Sequence, residues 1–214
     1  GSLTALYCEN GYWLLINEAT TLNLTGIPIP SDELYELHAG NNLISYPLFE
    51  CGSIDEVLPD DVEECIYAIA GEGVATINTN NGWLGSLTAL CQNEGYWFVN
   101  QCADILFTFD DPIIFARRSL LSKSPYPYRQ SSRQAFYFIQ SVDNIVSGDW
   151  IFAYSDDEVL GARQWQGSWT DVPAMGSDGS YYTAGYIQAG AIPQFKMFRG
   201  GKLIKLEGNT SAWS

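Results

Sequence analysis

The sequence predicts a mainly β fold with one or two short helices: tandem small β modules followed by a β-sandwich. Three features point there. A Trp-bearing element occurs twice: Gly1-Ser2-Leu3-Thr4-Ala5-Leu6 with Gly11-Tyr12-Trp13 returns 85 − 1 = 84 residues later as Gly85-Ser86-Leu87-Thr88-Ala89-Leu90 with Gly95-Tyr96-Trp97. Aligned without gaps, residues 1–24 and 85–108 agree at 11 of 24 positions, which marks a tandem duplication. Charged residues make up only 16% of the chain, so the surface is built largely from Asn, Ser, Thr, Gln and Gly, which suit strands and turns better than exposed helices. The last part of the chain is a run of short apolar or alternating segments separated by Gly-rich turns, the spacing of a sandwich.

Residues 1–38 read as the back half of a first module, so the sequence is expected to open inside a module. Leu3 to Tyr7 is an expected strand. Glu9-Asn10-Gly11 is a turn with Gly11 at positive φ, and Tyr12 to Ile16 is a strand buried on both faces. Thr20 to Thr25 alternates as a half-exposed strand, and Pro28 and Pro30 end pairing. Ser31 to Leu37 is either a capped helical turn or a further strand.

Residues 39–111 read as one complete module. Asn42 to Pro47 is a strand. Ser53 caps a short helix ending at Val57 or Leu58, and Pro59 opens a second helix running to Ala70 and stopped by Gly71. Asp60, Asp61, Glu63 and Glu64 crowd that helix's first turns, where its dipole favours them. Gly73 to Ile77 is a strand, Asn78 to Gly82 a turn, and Ile105 to Phe109 closes the module after the repeated element.

Residues 112–130 read as a linker or bracing segment carrying Pro112, Pro125 and Pro127, with five of the ten cations between Arg117 and Arg133. Residues 131–214 read as the β-sandwich module, with strands over Gln134 to Ile139, Asp149 to Tyr154, Glu158 to Trp165, Gln194 to Phe198 and Lys202 to Leu206. Ser177-Asp178-Gly179-Ser180 is a turn with a hairpin signal. The sequence stops at Ser214 without a terminating element, and this end is expected to be cut as well.

Charge is unevenly placed. Residues 1–116 hold 17 acids and no Lys or Arg, while residues 117–214 hold all ten cations and 8 acids, so −17 + 2 gives the net −15. Such a surface repels phosphate and argues against nucleic acid as a partner. It reads as a solvated acidic face, with divalent-cation binding or end-to-end module contact as the sharper alternatives. No run of about 18 apolar residues is present to span a bilayer, so membrane insertion is not expected. Cys8, Cys51, Cys65, Cys91 and Cys102 contain no C-x-x-C spacing. A Cys91–Cys102 bridge and buried free thiols are both compatible with the pattern, which leaves the redox compartment open.

Catalytic signatures are sparse, and an enzyme is not expected. His38, the only histidine, reads as a loop residue, and there is no G-x-S-x-G elbow. Gly71-Glu72-Gly73 follows an expected helix and reads as a stop and tight turn, not a phosphate cradle. Paired carboxylates across a cleft are the one remaining catalytic resource. No cofactor is expected beyond a structural calcium, for which Asp156, Asp157 and Glu158 are the candidate ligands, since hard oxygen donors on loops suit that ion. Turn-forming acids account for the same residues. Among the aromatic residues of the last module, Trp169, Tyr181 and Tyr182 lie in its least regular stretch and are the candidate glycan-stacking residues, core packing being the alternative.

Several motifs together resemble a known repeat. Asn42-Leu43-Ile44-Ser45-Tyr46-Pro47, Leu58-Pro59-Asp60-Asp61, Gly71-Glu72-Gly73-Val74-Ala75, Gly82-Trp83-Leu84-Gly85-Ser86-Leu87-Thr88 and Gly95-Tyr96-Trp97-Phe98 are similar to tandem repeat modules of large surface or secreted proteins of marine bacteria, with related modules in marine phage structural proteins. The module from Gln134 onward resembles their partner domain through Gly148-Asp149-Trp150-Ile151, Gly161-Ala162-Arg163-Gln164-Trp165 and Asp171-Val172-Pro173-Ala174-Met175-Gly176. The usual Gly-Lys-Gly before Tyr-Trp is here Asn93-Glu94-Gly95. The resemblance implies display or assembly: a non-catalytic structural or adhesive segment, extracellular, on a cell surface or on a virion. Its partners would be other modules or subunits of the same assembly, or a surface glycan. A carbohydrate- or ligand-binding module of a larger secreted enzyme is the alternative.

Overall fold

The computed structural model describes residues 3–16, 18–23, 25–27, 29–113, 116–117 and 123–214. The fold is mainly β, with two short helices and several antiparallel sheets. The chain forms two compact units: Gly1–Gly71, Thr76–Trp83 and Leu87–Ser119 make the first, and Glu72–Ala75, Leu84–Ser86 and Leu120–Ser214 the second. Two short runs from within the expected complete module thus group with the second unit.

The first module half is mostly irregular. Leu3 to Tyr7 and Tyr12 to Ile16 form no strand, and Leu14, Leu15 and Ile16 are 61%, 70% and 57% exposed. The described residues between Thr20 and Thr25 are exposed and irregular too, Leu24 and Pro28 lying outside the described residues. Ser31 and Asp32 turn, and β1 (Tyr35–Leu37) follows. Gly11 does not take positive φ. Its role is close approach: a Cβ there would sit 2.8 Å from Leu43 Cγ.

The second copy is regular. β2 (Gly40–Ser45) pairs with β8 (Gly95–Asn100), with Ile44 opposite Tyr96. β8 also pairs with β4 (Ile66–Gly71), and β5 (Val74–Thr79) and β6 (Gly82–Gly85) complete the order β2-β8-β4-β5-β6. Tyr96, Phe98 and Asn100 alternate inward along β8. β3 (Gly52–Ser53) pairs with β7 (Ala89–Leu90), and β9 (Ile105–Phe107) with β1. Tyr35, Tyr46, Phe98 and Phe107 surround Phe109, with ring centroids 5.0–6.4 Å away.

Helix α1 (Ile54–Val57) follows Ser53 as expected, although the Ser53 hydroxyl donates to Glu56 and caps no backbone N–H. Helix α2 (Asp60–Glu63) is much shorter than the sequence suggested. Beyond Glu64 the run Ile66-Tyr67-Ala68-Ile69-Ala70 becomes β4, with Tyr67 as a bulge and Ile66 and Ile69 fully buried. Its β-branched and aromatic residues gain more from pairing with β8 than from a helix, and tertiary context overrides the helix signal.

The cysteines pair as Cys51–Cys91 and Cys65–Cys102, leaving Cys8 free and exposed. The expected alternatives, a Cys91–Cys102 bridge or buried thiols, are both corrected. Cys51–Cys91 lies one step outside the cross-strand pair Gly52 and Leu90, while Cys65–Cys102 lies just beyond Ile66 opposite Asn100, where Gln101 N–H donates to the Cys65 carbonyl.

In the second unit β10 (Gln134–Ile139) pairs with β13 (Thr170–Met175). β11 (Trp150–Ser155), β12 (Glu158–Gln164), β14 (Gln194–Arg199) and β15 (Lys202–Lys205) form a second sheet, ordered β12-β11-β14-β15. Ile151, Ala153, Leu160, Val172, Ala174 and Phe195 pack between the sheets. Gly161 lets β12 approach β13, since a Cβ there would lie 2.0 Å from the Pro173 carbonyl oxygen. Pro173 is tolerated because a two-stranded sheet leaves it a side free of ladder bonds. Trp213 inserts its indole into this core and donates from Nε1 to the Ala174 carbonyl at 2.8 Å.

Candidate functional site

The residues singled out from sequence do not converge. Asp156, Asp157 and Glu158 occupy the exposed turn between β11 and β12, with Asp156 at φ 50°. Among the described residues no three His, Cys, Asp or Glu side chains are grouped to hold a metal ion; Asp156 and Asp157 form the turn and Glu158 opens β12. Trp169 ends the tight turn before β13 at φ 68°, a conformation uncommon for a bulky residue, and its N–H donates to the Ile139 carbonyl. Tyr181 and Tyr182 lie in a short 3-10 helix beyond the other end of β13. The six residues of β13 put roughly 20 Å between the two places, so the three rings form no common platform. Tyr182 instead stacks under the Arg129 guanidinium, 4.8 Å from the ring centre. His38 is an exposed loop residue whose Nδ1 lies 2.8 Å from the Ala39 carbonyl oxygen.

A buried ion pair is the strongest polar feature of the second unit. Arg163 on β12 and Asp171 on β13 are 3% and 1% exposed and meet at 2.8 Å. Asp171 also accepts from the Ser86 N–H at 2.9 Å, the Ser86 hydroxyl at 2.7 Å and the Ala75 N–H at 3.2 Å. Arg163 donates from Nε to the Asp171 carbonyl and from Nη2 to the Gly73 carbonyl. Four of the sequence motifs therefore meet here: those containing Gly73, Ser86, Arg163 and Asp171. Burial raises the Asp171 carboxyl above its ordinary value, opposed by the Arg163 charge and the Ser86 donors. The arrangement is closed and offers no open position for a reactant, so its role is to fix the Glu72–Ala75 and Leu84–Ser86 runs into this unit. The sequence carried one faint sign of it, an arginine directly after the apolar run Val159-Leu160-Gly161-Ala162.

A recess of about 440 Å³ in the same unit is lined by Lys123, Tyr126, Tyr128, Trp150, Gln164 and Gln166, among others. Tyr126 is held edge-on against Phe152 at 5.2 Å and Phe198 at 5.5 Å. Aromatic faces thus stand beside amide and ammonium donors. Sequence reading placed Tyr126 in the linker segment and missed the site, because the recess forms only when that segment folds back on β11 and β12.

In the first unit the two repeat copies touch. Gly11 N–H donates to the Leu43 carbonyl at 3.0 Å and Ser45 N–H to the Glu9 carbonyl at 3.2 Å, so the first copy's turn pairs with the outer edge of β2. Gly11 Cα would lie 3.2 Å from a Cβ on its own counterpart, Gly95. A second likeness joins the copies. Tyr7 N–H donates to the Tyr12 hydroxyl at 2.7 Å, and 84 residues later Cys91 N–H donates to the Tyr96 hydroxyl at 2.9 Å (91 − 7 = 96 − 12 = 84). The duplicated text folds into the same local loop in both places.

Comparison with family models, with curated proteins and with solved structures found no match to the chain.

Proposed function

We propose that the chain is a non-catalytic structural or adhesive segment of a modular extracellular or virion appendage, with other modules or subunits of the same assembly as its partners. The observation that supports this reading is a contact between modules: the turn of the first repeat copy seats on the edge strand β2 of the complete module and lies against Gly95 of the second copy. Modules that contact their neighbours edge to edge are suited to stacking in series. Two disulfides in the first unit fit an oxidising location. Among the described residues no helix is long and apolar enough to cross a membrane. Immunogold labelling of intact source cells or particles with an antibody to this chain tests the proposal. Label along an external appendage is the expected result, and label confined to the cell interior would sink it.

The recess beside Trp150 favours a second reading, a carbohydrate- or ligand-binding module of a larger secreted enzyme. Its volume and its mix of aromatic faces with Lys123, Gln164 and Gln166 suit a polar ring stacked on an indole. A glycan array separates the two readings: binding that disappears in Trp150→Ala but persists in Trp169→Ala supports the second.

A further inference from the structure

The first repeat copy is locally folded yet lacks what its counterpart has on either side. In the second copy Tyr96-Trp97-Phe98-Val99 lies mid-sheet, with β2 on one edge and β4 on the other, and Tyr96 and Phe98 are 1% and 0% exposed. The aligned residues of the first copy, Tyr12-Trp13-Leu14-Leu15, keep the lead-in hydrogen bond to the tyrosine hydroxyl but form no strand. Leu14, which aligns with Phe98, is 61% exposed, and Leu15 and Ile16 continue the apolar surface. Three consecutive apolar residues, Leu14 to Ile16, left largely to solvent after the half-buried Tyr12 and Trp13 make a segment with the sequence of a strand and no strand partner.

We infer that residues 12–16 are a docking strand for the front half of another repeat module, a segment of the same kind as residues 40–71 of this chain, which flanks them as β2 and β4 flank β8. The inference rests on the modular reading above and names its partner. The repeat itself identifies the occupant, because the second copy displays the completed form of the same strand. The first copy also differs in its cysteines. Tyr7 stands where the second copy has Cys91, and Glu18 where it has Cys102, so neither bridge of the second copy has its cysteine at the aligned position of the first. Ile16 replaces Asn100, whose amide donates to the Leu37, His38 and Ala103 carbonyls, so the far end of the strand is closed by apolar contact instead.

The test fuses a second copy of residues 39–84, carrying Cys51→Ala and Cys65→Ala, ahead of Gly1, which recreates the natural 84–85 junction. Amide hydrogen exchange is then followed in the fused and unfused chains. The expected result is exchange at Tyr12 to Ile16 slowed by about a hundredfold or more, approaching that of Tyr96 to Asn100, since paired strands open only through larger unfolding. Leu14→Asp in the fusion should abolish this protection and leave Tyr96 to Asn100 unchanged. Unchanged exchange at residues 12–16, whether or not the added segment folds, overturns the inference. So does a dimer of the unfused chain in sedimentation that already protects these residues, which would make a second copy the occupant. A protected strand together with interior immunogold label would leave the docking standing and remove only the appendage role.

Discussion

Asp171 shows how much a single residue can hold. Its carboxylate accepts from an arginine, a hydroxyl and two backbone N–H groups while almost wholly out of water. Asp171→Asn keeps the shape but strands the Arg163 charge, and the expected loss is about 3–5 kcal/mol in urea unfolding. Ser86→Ala removes one donor and leaves the ion pair, with an expected loss nearer 1.5–3 kcal/mol, roughly the worth of a hydrogen bond to a charged group. Asp178 predicts a pH response. The Thr183 hydroxyl, with the Ser180 and Ser132 N–H groups, holds its carboxyl well below the ordinary 3.8. Its folded-state value is depressed, so its stabilisation is complete above the unfolded value and fades as pH falls below about 4. Thermal melts of Asp178→Ala and the parent chain should therefore converge on acidification and differ at neutral pH. Legibility at this scale was uneven. Asp178 was visible in sequence as a turn residue. Asp171 was legible only as the first residue of a motif, because nothing local marks which acid a distant arginine will meet.

At the scale of elements, the strands of the last module were the most readable. Gln134 to Ile139 and Glu158 to Gln164 are bounded by polar turns and rich in β-formers, which are properties of the stretch itself. β13 escaped notice because Pro173 sits inside it and only an edge position excuses a proline. The α2–β4 segment failed for the opposite reason, with good helix-start signals followed by residues that the sheet claims. The two disulfides close separations of 40 and 37 residues. By loop entropy each is worth about 4 kcal/mol. Cys65→Ala/Cys102→Ala should lower the unfolding free energy of the first unit by that order, read from exchange at Tyr96 to Asn100. The close β12–β13 approach gives a further expectation. Gly161→Ala drives a methyl into backbone that cannot yield cheaply, so a loss of about 1–3 kcal/mol should appear in denaturant unfolding.

For the whole molecule the dominant quantity is charge. Seventeen acids and no cation in residues 1–116 repel one another, and added salt screens that repulsion over a Debye length that falls from about 30 Å at 0.01 M to about 3 Å at 1 M. The melting temperature should rise with sodium chloride across that range in calorimetry, and a flat or falling profile would show that the acids are already compensated. The sequence by itself determined the β class, the duplication and the positions of most later strands. Each of those is written in local periodicity, turn residues and direct self-similarity. Tertiary structure alone decided the cysteine partners, the early end of α2, the Arg163–Asp171 pair and the exposure of Leu14 to Ile16 in the first copy. Each of these depends on which strand lies beside which, and a residue's own neighbours in the chain carry no record of that.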